Sequence, residues 1–91
     1  MTIINVDSAG VSARKIVANN GKLQIAITGT WAGASVDLQK MAGDGTYQTI
    51  HTFTDDDCVT VDVVRESTYQ FNTTGTPTLK CDVAVESGQI I

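Results

Sequence analysis

A chain of 91 residues with 42% hydrophobic and 18% charged side chains has the makeup of one small folded domain, not of a disordered segment. Its formal charge of −4 and pI near 4.5 speak against nucleic acid as a partner, since phosphate binding draws on clustered cations and Arg14-Lys15 is the only adjacent basic pair. No apolar run approaches the roughly 20 residues that span a bilayer, so no membrane partner is expected either.

The opening Met1-Thr2-Ile3-Ile4-Asn5-Val6-Asp7 lacks the basic and long apolar regions of a secretory signal, which predicts synthesis into a cytoplasm. Ile3, Ile4 and Val6 suit an edge strand, broken by Asp7-Ser8-Ala9-Gly10; residues 1–12 read equally as an extended arm. Residues 13–18 place Ile16 and Ala18 on one side of a strand. Asn19-Asn20-Gly21 follows, and Asn-Gly is a strong signal for a hairpin turn. Leu23, Ile25 and Ile27 then alternate with Gln24, Ala26 and Thr28 in the expected return strand.

The stretch Gly29 to Phe53 carries the clearest local pattern. Val36 and Leu38 alternate with Asp37 and Gln39, a half-buried strand. The glycines of Ala42-Gly43-Asp44-Gly45 can take the positive φ of a tight loop, and Tyr47 to Phe53 forms a second run rich in β-formers. Trp31 is expected to plug one end of the fold; exposed beside Tyr47, it would instead make a sugar-stacking platform.

Asp55-Asp56-Asp57 supplies the oxygen ligands that calcium takes, but no glycine-punctuated loop with a distal Glu surrounds it. A solvated turn is the simpler expectation. Next, Val59, Val61 and Val63 point inward from a strand and leave Cys58 on the opposite face. Arg65-Glu66-Ser67 turns the chain, and Tyr69 and Phe71 share one face of the following strand. Beyond Gly75-Thr76-Pro77, Leu79, Cys81, Val83 and Val85 line the inner face of a closing strand. One thiol outward and one inward predicts two free cysteines, because a disulfide needs converging Cβ vectors. The tail 87–91 reads as a second extended arm.

About seven short strands with turn signals every 8–12 residues and no helical period indicate an all-β chain, an immunoglobulin-like antiparallel β-sandwich in a single domain. Nothing in it makes a reaction centre. His51, the only histidine, lies in a strand pattern with no nucleophile motif beside it. Gly43-Asp44-Gly45 precedes no helix and so makes no phosphate cradle. No enzyme activity, cofactor or metal is expected, since two cysteines and one histidine are too few for a metal site.

Gly29-Thr30-Trp31-Ala32-Gly33-Ala34-Ser35-Val36-Asp37-Leu38-Gln39, then Asp44-Gly45-Thr46-Tyr47-Gln48-Thr49-Ile50 and later Tyr69-Gln70-Phe71, resembles small β-sandwich structural proteins of tailed bacteriophage virions. Their pattern is G-T-W-G-G-A-T-V-x-L-Q, a D-G-x-W/Y-x-x-V/I return strand and an aromatic Y-x-F/L strand; this chain has Ala32 for a frequent glycine and Tyr47 for a frequent Trp. The resemblance implies a virion structural protein assembled in the host cytoplasm. Capsid decoration is the first choice of role, with the phage major capsid protein as partner, and a tail, fibre or adhesin component binding host carbohydrate is the alternative. Self-association is expected with it, a trimer being one closed form. Ile3, Ile4, Ile90 and Ile91, apolar pairs near the two termini, are the candidate subunit or capsid contacts.

Overall fold

The computed structural model describes residues 2–91, which form eight strands and no helix. In chain order these are β1 (Thr2–Ile4), β2 (Gly10–Val11), β3 (Ile16–Thr30), β4 (Ser35–Met41), β5 (Tyr47–Phe53), β6 (Asp57–Val63), β7 (Ser67–Thr74) and β8 (Thr78–Ile90). All pairings are antiparallel. One layer runs β6-β3-β8-β1. The other runs β5-β4-β7 and continues to β2 and the first residues of β3. The all-β antiparallel sandwich is therefore present, with eight strands against the about seven expected. The pairings of β3 with β6 and of β4 with β7 follow the immunoglobulin plan, whereas the last strand lies beside β3 and not beside β7.

The largest departure from expectation concerns Asn19-Asn20-Gly21. It is not a hairpin: β3 runs straight through it for 15 residues. Ile16 to Ala18 pair with Ser67 to Tyr69 of β7, and from Gly21 onward the partner is β6. The Asn-Gly signal marks a bend by which one strand leaves one layer for the other. β8 bends alongside it, with register shifts at Ala18/Asn20 and Asn20/Leu23. The Glu86 side chain occupies the bend, accepting from Lys22 N at 3.2 Å, and Gly21 takes φ +78° there, a conformation that favours glycine, and leaves the carboxylate the space a Cβ would need.

The core forms where period-2 faces meet. Leu23, Ile25 and Ile27 of β3, Val63 of β6, and Cys81 and Val83 of β8 are buried on one side. Val36, Leu38, Phe53, Tyr69 and Phe71 are buried on the other. Ser12 bridges the gap where the neighbour of β7 changes from β2 to β3: its N donates to Phe71 O at 2.8 Å and its Oγ accepts from Phe71 N at 3.1 Å.

The end segments are not arms in this structure. Thr2 to Ile4 pair with Cys81 to Val83, and Gly88 to Ile90 pair with Ile16 to Ala18. Ile91 exchanges backbone hydrogen bonds with Lys15 at 2.9 and 3.2 Å.

Candidate interaction surfaces

The β4–β5 hairpin is built as its sequence indicates. Ala42 N donates to Thr46 O at 2.7 Å and Gly45 N to Ala42 O at 3.0 Å, with Gly45 at φ +88°. The Asp44 carboxylate accepts from both N and Oγ1 of Thr46 at 3.0 and 2.7 Å, which holds its pKa below the usual carboxylate value. Across the hairpin Gln39 pairs with Thr49 and Leu38 with His51, so Ile50 is an inserted bulge residue. Gln70 Nε2 donates to Gln39 Oε1 at 2.8 Å, linking β7 to the same hairpin.

At the far end of β5 lies the acidic turn. Asp56 Oδ1 accepts from Trp31 Nε1 at 2.9 Å and from Gly29 N at 3.1 Å. Trp31 is half-buried and packs against the core, so the expected plug is only partly sunk, and Tyr47 at the other end of β5 is half-buried as well. Asp55 and Asp57 satisfy backbone N–H groups of their own turn, at Asp56 and Cys58 respectively. No group of three or more His, Cys, Asp or Glu among the described residues is arranged to hold a metal ion.

His51 stacks edge-on against Phe53, with ring centroids 4.6 Å apart and planes at 76°, and its Nε2 lies 4.0 Å from Asp57 Oδ2. Cys58 is exposed and Cys81 buried, both free, as strand parity indicates. Burial, with Asp82 adding a smaller push, raises the Cys81 thiol to about 12.

The four isoleucines separate into two kinds. Ile4 is a core residue, and Ile90 is half-buried and packed on the core. Ile3 at 49% and Ile91 at 59% exposure remain on the surface. The four are therefore not one apolar patch: alternation along β1 sends neighbouring side chains to opposite faces.

Sequence reading missed a concave surface. An open concavity of about 620 Å³ lies between the β4–β5 turn and the β6–β7 connection, lined among others by Lys40, Met41, Gln48, Ile50, Arg65 and Glu66. Met41 and Ile50 are exposed there, and Val64 beside it is 91% exposed. Lys40 and Gln48 are cross-strand partners in the same alternation as Leu38, so they face the gap between layers beyond the point where the core stops. The missing signal was one of tertiary arrangement: nothing local says that the hairpin outruns the layer opposite.

A scan against protein-family models and a search of curated proteins gave no match for this chain.

Proposed function

We propose that this chain is a non-enzymatic structural component of a tailed-bacteriophage virion, in first place a capsid decoration protein that binds the major capsid protein and stabilises the head. The observation that carries this reading is spatial. The residues of the resemblance, separated in sequence, form one continuous unit: Leu38 and Gln39 of β4 pair directly with Phe71 and Gln70 of β7. β5 closes the same unit as an edge strand.

In this reading the work is association, driven by buried apolar area and by pairing of free strand edges. Ile3 and Ile91 are the terminal residues exposed enough to contribute, and self-association, as a trimer or another closed form, belongs to the same reading. A tail, fibre or adhesin role binding carbohydrate is favoured by one observation, the incomplete burial of Trp31 beside the Asp56 carboxylate.

Mass spectrometry of purified particles tests the proposal, with heads separated from tails. The chain is expected in heads at stoichiometric amounts. Its absence from intact particles overturns the virion role, and its presence in tails alone replaces decoration by the tail reading.

A further inference from the structure

The two ends of β5 differ in charge in a way that the fold makes spatial. At one end the concavity carries Lys40 and Arg65 against the single acid Glu66. Neither cation is in an ion pair: the salt bridges of the described residues are Lys22–Asp62 at 2.6 Å and the His51–Asp57 contact. Asp44, on the adjoining turn, stays ionised with its carboxylate bonded to Thr46 and is not among the residues that line the concavity. At the other end the acidic turn presents Asp55, Asp56 and Asp57, all exposed, with His51 as the one cationic-capable neighbour in contact. The seven residues of β5 separate the two ends, a span of about 20 Å.

Two of the strand edges, β6 and β5, also differ. β6 carries Asp57 and Asp62, the kind of charge that discourages pairing. β5, from Tyr47 to Phe53, has no Asp, Glu, Lys or Arg. Its bulge at Ile50 blunts continuous edge pairing, so contact through the neighbouring concavity is favoured over a simple added strand. Met41 and Ile50, exposed large hydrophobics, line the concavity, and the exposed Val64 precedes its Arg65 in the chain.

We propose that the concavity is the docking site for the acidic turn of a second copy of this chain. Asp55 and Asp57 of the incoming copy meet Lys40 and Arg65, while its turn covers Met41 and Ile50. Charge complementarity selects this occupant. Two copies of a chain of net charge −4 repel each other on average, and here unpaired cations and exposed apolar side chains coincide. The contact is head-to-tail. Each copy offers one concavity and one turn at opposite ends of β5, so repetition gives a ring where the rotation closes and a fibre where it does not. This inference rests on the self-association part of the reading above but not on the virion role, which particle composition tests separately.

The test uses two variants of the whole chain, one with Lys40→Glu and Arg65→Glu, the other with Asp55→Lys and Asp57→Lys. Sedimentation velocity is run on each alone and on an equimolar mixture. Thermal melts serve as the folding control, and Asp55→Lys alone replaces the second variant should the double change fail to fold. Wild type is expected to assemble, with assembly weakened by added salt. Each variant alone is expected to lose about tenfold or more in self-affinity, because like charges then face each other. The mixture is expected to recover assembly, since each variant's concavity then matches the other's turn. Wild type that stays monomeric to its solubility limit overturns the proposal. So do folded variants that assemble as wild type does, and so does a mixture that remains as weak as its parts.

Discussion

Trp31 Nε1 donates to Asp56 Oδ1 at 2.9 Å, and the same oxygen accepts from Gly29 N at 3.1 Å. One carboxylate oxygen thus ties the end of β3, the indole that follows it and the turn between β5 and β6. The triple aspartate is a turn in which the middle acid reaches sideways and the two outer ones bond their own backbone.

Asp56→Ala therefore removes two hydrogen bonds to a charged acceptor, in a solvent-accessible place. The expected cost is about 1–2 kcal/mol. Trp31 emission should shift to the red and quench more readily as the indole loosens. Asp55→Ala, which breaks only a bond within its turn, should change stability by less than about 0.5 kcal/mol. Urea unfolding followed by fluorescence measures both.

The two thiols should behave as different chemical species. In the native protein a thiol reagent such as DTNB should modify Cys58 rapidly and leave Cys81 untouched, and both should react in denaturant. Rapid modification of two thiols in the folded protein would contradict the burial of Cys81.

Cys81 also sets a pH limit. Its pKa is raised from 9.0 to about 12 in the folded state, chiefly by burial and secondarily by Asp82, so between those values the folded chain holds a proton that the unfolded chain releases. Stability from this group is intact below pH 9.0 and declines as pH rises toward about 12. Cys81→Ala should flatten that decline while lowering stability at neutral pH through the lost side-chain volume. Denaturation midpoints across the alkaline range give the comparison.

Two glycines make a matched pair of tests. Gly88 has φ +143°, and a Cβ there would strike the Val17 carbonyl oxygen, whereas Gly43 has open space around its Cβ position. Gly88→Ala is expected to cost at least about 2 kcal/mol through strain and lost pairing. Gly43→Ala should be neutral within about 0.5 kcal/mol. Chemical denaturation of the two variants decides it.

Deleting residues 88–91 should destabilise the fold itself. The deletion removes the pairing of Gly88, Gln89 and Ile90 with Ala18, Val17 and Ile16, together with the two Ile91–Lys15 hydrogen bonds. Circular dichroism melts should show a clear loss of midpoint. An unchanged melt with altered association would return the segment to the role of an arm.

How far the residues spoke for themselves varies along the chain for physical reasons. The β4–β5 hairpin and the inward faces of β6, β7 and β8 follow from alternation and turn chemistry, both local. The opposite placement of Cys58 and Cys81 follows from parity alone. Asn19-Asn20-Gly21 misled because the backbone conformation that reverses a hairpin also bends a continuing strand. The choice lies with Ser67–Tyr69, Val63 and Glu86, the residues waiting on either side, which are distant in sequence. Ile4 and Ile90 misled similarly: an apolar pair near a terminus says nothing of which member finds a layer to join. The concavity was invisible because it arises where one layer ends before the other.

The two long bent strands have a consequence for biosynthesis. β8, the last of the eight strands to leave the ribosome, is an inner strand of its layer, flanked by β3 and β1. β3, made much earlier, has nothing to hold its second edge until then. A nascent chain ending before Thr78 thus lacks an inner strand of one layer and leaves one backbone edge of β3 unpaired. Such a chain depends on rapid completion, or on a holding partner, to escape aggregation, since pairing over so long a sequence separation is slow.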